Sequence, residues 1–217
     1  GSTGATVSTV VVAKGNSNVI YAGCSNGRVQ VTMDAGASWN LRTSGLPNLS
    51  VTRITTDPNN PATAYVTFSG YTATSKIFKT TNYGSSWTNI SGNLPNIPTN
   101  CVVVNPANGN NIFVGTDLGV FSTANGGSTW VQDVSGMANV PVFDLDYRSS
   151  DTKLFAATHG RSMYSSSVGS GGGTQTANLT YDDGTPTSGY YWNNSGQGSA
   201  NRMTPTLSNA TLTQMEI

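Results

Sequence analysis

The sequence predicts an all-β fold: a partial β-propeller of about three and a half four-stranded blades, followed by a short incomplete β-sandwich-like segment. Three observations predict it. An octapeptide ending in Trp recurs as Thr32–Trp39, Thr80–Trp87 and Thr123–Trp130, with 48 and then 43 residues between the tryptophans, which is one blade per repeat. Short runs of alternating apolar residues fill the space between copies, each bounded by Asn, Gly, Pro or Ser. Helical periodicity is absent throughout. A β-sandwich would also show short alternating strands, but regular recurrence of one motif argues against it.

Within each repeat the order is constant. A first run appears as Val7–Val12, Val51–Thr56, Cys101–Val104 and Val142–Tyr147. A polar turn follows at Lys14–Asn18, Asp57–Pro61, Asn105–Gly109 and Arg148–Asp151, rich in residues that tolerate turn geometry. The second run is Val19–Gly23, Thr63–Thr67, Ile112–Gly115 and Leu154–Ala157, and the third is Val29–Val31, Lys76–Lys79, Gly119–Phe121 and Ser162–Tyr164. After Trp39, Trp87 and Trp130 a short fourth strand leads to Ser44–Pro47, Ser91–Pro95 or Ser135–Met137, and the cycle restarts. Residues 1–168 are thus read as blades, 169–176 as a Gly/Ser linker and 177–217 as the opening strands of a second domain.

Composition excludes several classes of function. Only 9% of the 217 residues are charged and the net charge is zero, so no basic excess is available to neutralise phosphates, and nucleic acid is not an expected partner. No apolar run reaches the roughly 20 residues of a membrane-spanning helix. Cys24 and Cys101 are too few for a disulfide framework and are read as two thiols behaving as small apolar residues. Sequons at Asn48, Asn89, Asn178, Asn193 and Asn209 are candidate glycosylation sites in a secreted chain.

The three Trp-ended octapeptides resemble the Asp-box of bacterial neuraminidase (BNR) repeats, Ser/Thr-x-Asp-x-Gly-x-Ser/Thr-Trp, of sialidase-like propellers such as the sortilin ectodomain and xyloglucanase-type glycosidases. Thr32, Asp34, Gly36 and Trp39 carry the full motif, whereas Asn82 and Asn125 replace the acid between Thr80, Gly84 and Trp87 and between Thr123, Gly127 and Trp130. The resemblance implies a structural role. The Asp or Asn closes a turn onto backbone N–H groups, the Gly supplies positive φ and the Trp fills space between layers. It also implies that these turns lie on the rim away from the ligand.

Gly1–Gly4 aligns with Ser44-Gly45 and Ser91-Gly92, so the chain is expected to start where an earlier blade would have ended, and no fourth Trp motif follows Ser162–Tyr164. Relatives of this type close rings of six or more blades, so the open faces are expected to be covered by upstream blades or by neighbouring protein chains.

A sialidase-like site would need an arginine triad and a Tyr/Glu pair, but the only Glu is Glu216, in the tail. For a two-carboxylate glycosidase the candidates are Asp117, Asp144 and Asp146. Asp144 and Asp146 alternate with Phe143, Leu145 and Tyr147 on a first strand and are expected to face the channel, as are His159 and Arg161 of the Thr158–Arg161 loop. Neither a metal-ligand cluster nor a phosphate-binding loop is present, and no cofactor is expected.

Three functional classes follow. The first is a non-catalytic propeller segment of a secreted or cell-surface bacterial protein, acting as a binding or scaffold module with glycans as the candidate ligand. The second is a structural subunit of an extracellular fibre assembled by strand pairing between subunits. The third is a fragment of a glycoside hydrolase.

Overall fold

Alternation with period 2 decides the architecture, because each strand buries one set of side chains toward the sheet before it and the other toward the sheet after it. A computed structural model describes residues 4–72, 75–133, 137, 139–168 and 180–181. Those residues form four antiparallel four-stranded sheets in chain order. The first contains β1 (Val7–Val12), β2 (Ile20–Cys24), β3 (Val29–Thr32) and β4 (Asn40–Leu41). The second contains β5 (Val51–Asp57), β6 (Asn60–Phe68), β7 (Ile77–Thr80) and β8 (Thr88–Asn89). The third contains β9 (Thr99–Val104), β10 (Ile112–Thr116), β11 (Gly119–Thr123) and β12 (Val131–Gln132), and the fourth β13 (Val142–Arg148), β14 (Lys153–Thr158), β15 (Met163–Ser167) and β16 (Thr180–Tyr181). The first strands β1, β5, β9 and β13 lie side by side at the inner edge, so the sheets are consecutive blades of a partial propeller.

Three apolar clusters glue the blades face to face. Val19, Tyr21 and Val31 of the first blade meet Ile54, Val66 and Phe68 of the second. Tyr65 and Ile77 of the second meet Val102, Val104 and Trp130 of the third. Phe113 and Val120 of the third meet Leu145, Leu154 and Tyr164 of the fourth. Adjacent residues Tyr65 and Val66 therefore serve opposite clusters. Each fully buried large apolar side chain contributes roughly 1.5–3 kcal/mol, so these junctions hold the assembly.

One assignment differs from the sequence reading. Thr180–Tyr181, expected in the tail segment, pairs with β15 in the register Tyr164↔Tyr181 and Ser165↔Thr180 and supplies the fourth strand of the fourth sheet. With no Trp motif to turn the chain back after β15, its outer edge is left to a strand arriving from further along the sequence. The linker 169–176, the rest of the expected second domain, and Asn178, Asn193 and Asn209 lie outside the described residues.

Ser25 N–H donates to the Thr6 carbonyl as Ser69 N–H does to Ser50 and His159 N–H to Pro141, so Thr6, Ser50 and Pro141 hold equivalent places at the entry to their blades. Both cysteines are free, Cys24 half-buried and Cys101 buried. Burial pushes the Cys101 thiol up to about 12.

Candidate functional site

The two ends of the blades have different chemistry. At one end the β3–β4, β7–β8 and β11–β12 turns carry the Trp-ended motifs. Thr32 Oγ1 accepts from the backbone N–H of Asp34 (3.2 Å) and Gly36 (2.9 Å) and donates to Asp34 Oδ1 (2.6 Å). Asp34 Oδ1 also accepts from Ser38 N–H (2.8 Å), and Oδ2 accepts from Ser38 Oγ–H (2.5 Å). These hydrogen bonds, from Ser38 first and Thr32 next, lower the Asp34 carboxyl to about 2. Asn82 and Asn125 reproduce the Oδ1 bonds and reverse the other one, with Nδ2 donating to Ser86 Oγ (2.9 Å) and Thr129 Oγ1 (2.8 Å). A hydroxyl at the seventh position can donate or accept, which is why Asp and Asn interchange here.

The glycines take positive φ, +97° at Gly36, +75° at Gly84 and +97° at Gly127. The preceding residue does too, which sequence inspection missed: Ala35 and Tyr83 are left-handed at +57° and +56°, and only the third motif places a glycine there, Gly126. Each turn is tied to its own blade by the N–H of Ala35, Tyr83 or Gly126, donating to the carbonyl of Asn18, Ala62 or Asn110. Trp87 and Trp130 reach the preceding blade, where their indole N–H groups donate to the carbonyls of Arg42 (2.8 Å) and Ile90 (2.9 Å). Trp39 is 42% exposed, whereas Trp130 is 3% exposed.

At the other end, where the first strands begin, polar and aromatic groups converge. Tyr71 lies in the longest of the β2–β3-type connections, residues 69–76, and donates its hydroxyl to Asp117 Oδ2 (2.6 Å). That bond holds the Tyr71 phenol above its ordinary pKa. Asn100 Nδ2 bridges Asp117 Oδ1 (3.1 Å) and the Val142 carbonyl (3.1 Å), and Asn96 donates to the Tyr71 carbonyl. Buried Lys76 anchors the loop by donating to the carbonyls of Ser69 and Gly70, and desolvation lowers its pKa.

Across the inner edge, Asp144 of β13 pairs with Arg53 of β5 at 2.6 Å, joining the second and fourth blades. A bulge between Val142 and Asp144 turns Phe143 outward, 51% exposed, with its ring edge-on to His159 at 5.7 Å. Asp144, Asp146, His159 and Arg161 are all exposed; of these, Asp144 is joined to Arg53 and His159 to Phe143, and Asn100 links Tyr71 and Asp117 to the start of the same strand through the Val142 carbonyl. Arg161 is in the same loop as His159, and Asp146 follows further along β13. Tyr71 and Asn100 belong to no motif. An exposed aromatic in the longest loop was the available signal.

Asn48 is exposed, and so is Asn89, whose amide bridges Ser75 Oγ (2.8 Å) and Ser91 N–H (2.9 Å).

No family model and no curated protein matches the sequence. Solved structures do match. The chain superposes on a GH74 enzyme from Niastella koreensis with a TM-score of 0.60 at 16% identity, covering 75% of this chain and 28% of that one. The GH74 xyloglucanase from Xanthomonas campestris gives 0.59 at 10% identity, over 74% and 29%. YCF48 bound to D1 peptide gives 0.55 at 18%, over 81% and 54%. The likeness is one of fold. The chain spans about a quarter to a half of the length of these propeller proteins. Among the described residues no helix is long and apolar enough to cross a membrane.

Proposed function

We propose that the chain is a non-catalytic propeller segment of a secreted or cell-surface bacterial protein, and that it binds ligand, glycans foremost, at the rim where the first strands begin. The observation that carries this reading is the rim cluster: Tyr71, 61% exposed, bonds to Asp117, Phe143, 51% exposed, stands edge-on to His159, and the neighbouring Asp144 pairs with Arg53. Exposed aromatic faces interleaved with hydrogen-bonding groups suit the apolar faces and hydroxyls of sugar rings. The carboxylates are engaged in holding neighbours, Asp117 with Tyr71 and Asn100 and Asp144 with Arg53, which favours recognition over acid–base work. The three Trp-ended turns are on this reading Asp-boxes, structural elements at the opposite end.

A glycan array that includes xyloglucan oligosaccharides tests the reading. Binding that falls at least tenfold in both Tyr71→Ala and Phe143→Ala, with the melting temperature retained, supports it. Absence of binding to every sugar overturns the glycan assignment. The fold likeness to GH74 enzymes favours one second reading, a fragment of a glycoside hydrolase. Hydrolysis of xyloglucan that disappears in Asp144→Ala would establish that reading instead.

A further inference from the structure

The sequence holds three Asn-Gly pairs, Asn26-Gly27, Asn108-Gly109 and Asn125-Gly126. In such a pair the glycine nitrogen can attack the asparagine side-chain carbon, provided that nitrogen is not held as a hydrogen-bond donor. Two of the three are held. Gly27 N–H donates to the Cys24 carbonyl (3.1 Å) and Gly126 N–H to the Asn110 carbonyl (3.0 Å). Asn108-Gly109 lies in the β9–β10 turn, where the N–H groups of Asn108 and Asn111 donate to the carbonyls of Asn105 and Asn108. Those of Ala107 and Asn110 donate to the side chains of Asn105 (2.9 Å) and Asn108 (3.1 Å). From Ala107 to Asn111, only Gly109 N–H meets no protein acceptor among the described residues.

The first blade builds the same turn without a glycine. There Asn16 repeats three bonds of Asn108: its N–H donates to the Ala13 carbonyl, its carbonyl accepts from Val19 N–H, and its Oδ1 accepts from Asn18 N–H (3.1 Å). Ser17 stands where Gly109 does, and Gly109 has no positive φ, so the turn itself does not require glycine at 109. What glycine supplies is an unshielded nitrogen next to an exposed asparagine. We infer that Asn108-Gly109 is a self-modification site, at which the folded chain converts Asn108 to aspartate or isoaspartate. The Gly109 nitrogen gives its proton to a buffer base and bonds to Asn108 Cγ. The Cγ–Nδ2 bond then breaks, and Nδ2 takes up a proton and leaves as ammonia. Asn110 N–H, bonded to Oδ1, stabilises the negative charge that gathers on that oxygen during the attack. Water opens the cyclic imide at either carbonyl, and no oxidant or reductant is needed.

The product alters the junction between the second and third blades. Asp57 Oδ2, in the β5–β6 turn, lies 3.5 Å from where a Cβ on Gly109 would stand, and Asn59 Nδ2 ties the two turns by donating to the Pro106 carbonyl (2.8 Å). A carboxylate formed at position 108 is a like charge one residue from that contact with Asp57. The isoaspartate form also lengthens the backbone of the turn by a methylene. Both changes loosen the tie between the two turns.

The test incubates the full chain in mildly alkaline buffer and follows the amide-to-acid mass gain at the three pairs by peptide mapping, with electron-based fragmentation separating aspartate from isoaspartate. Conversion at Asn108 is expected to run several-fold to roughly tenfold faster than at Asn26 and Asn125, since Gly27 and Gly126 must first give up a hydrogen bond. In the urea-unfolded chain the three rates should converge. Gly109→Ser should slow conversion at Asn108 while leaving the melting temperature of the fresh protein unchanged, as Ser17 does for the equivalent turn. The aged parent should melt roughly 2–4 °C below the fresh one. That drop should shrink in Asp57→Asn, whose Oδ1 still accepts from Asn59 N–H. Equal rates at the three pairs in the folded chain, or a preference for Asn108 that persists unchanged in urea, overturns the site. An aged chain that melts with the fresh one overturns its effect on the junction.

Discussion

Replacing the motif glycine with alanine in two copies separates what the turn requires from what the junction requires. Gly36 and Gly127 hold the same motif position and the same φ, +97°. An alanine there pays a left-handed backbone penalty of roughly 1–2 kcal/mol in either case. Their surroundings differ. A Cβ on Gly36 would find its nearest neighbour, Trp39 Nε1, at 3.9 Å. A Cβ on Gly127 would lie 2.6 Å from the Ile90 carbonyl oxygen and 2.7 Å from Ile90 Cβ, in the preceding blade, and relieving that contact costs about 1–3 kcal/mol more. Gly36→Ala is therefore expected to cost about 1–2 kcal/mol and Gly127→Ala about 2–5 kcal/mol. Urea denaturation followed by circular dichroism measures both. Gly84→Ala should fall between them, because its Cβ would meet Arg42 Cβ at 3.0 Å, a contact less severe than the 2.6 Å at Gly127 and relieved by a shift of a few tenths of an ångström. Equal losses at positions 36 and 127 would refute the argument, since they would mean that packing against the preceding blade adds nothing to the turn.

Asp34→Asn should leave the fold intact, because Asn82 and Asn125 make the same turn. The Asp34 carboxyl sits near 2 in the folded chain, so its stabilisation is present above the ordinary carboxylate pKa and is lost as pH falls toward 2. The melting temperature of Asp34→Asn is thus expected to drop less between pH 7 and pH 2.5 than that of the parent, and an equal drop would remove this turn from the acid response. Tyr65→Phe should be neutral or stabilising by up to about 1 kcal/mol, since the buried Tyr65 hydroxyl has no partner among the described residues and Phe113 fills the equivalent place in the third blade. Tyr21→Phe should instead cost about 1 kcal/mol, because Tyr21 donates to the Pro61 carbonyl at 2.9 Å. A larger loss in Tyr65→Phe than in Tyr21→Phe, read from the same denaturation curves, would contradict that ordering. Gly23→Ala should lower stability by about 1–3 kcal/mol, because the new Cβ would stand 2.4 Å from Val51 Cγ1 across the first junction. Compensation by Val51→Ala in the double variant would localise the clash.

The strands, their order and the turns between them were legible because they rest on short-range rules: period-2 alternation, turn residues and a repeat that ends on Trp. The motif chemistry was legible for the same reason, since Thr32, Asp34, Gly36 and Ser38 bond to one another within a single turn. The left-handed Ala35 and Tyr83 were not, because neither residue type announces that conformation. The rim cluster was only half visible. Asp144 and His159 were singled out from their own strand and loop. The partners Arg53 and Tyr71 stand 91 residues from Asp144 and 46 from Asp117, and only the curvature of successive blades brings them within hydrogen-bond reach. The pairing of Thr180–Tyr181 with β15 was not legible, because strand pairing satisfies an open edge irrespective of the segment's place in the sequence. By itself the sequence determined the blade, a locally encoded unit. How blades lock together, through indole N–H groups and the Asn100 amide, was decided by tertiary structure, because each of those bonds joins residues about one blade apart and needs both faces in place.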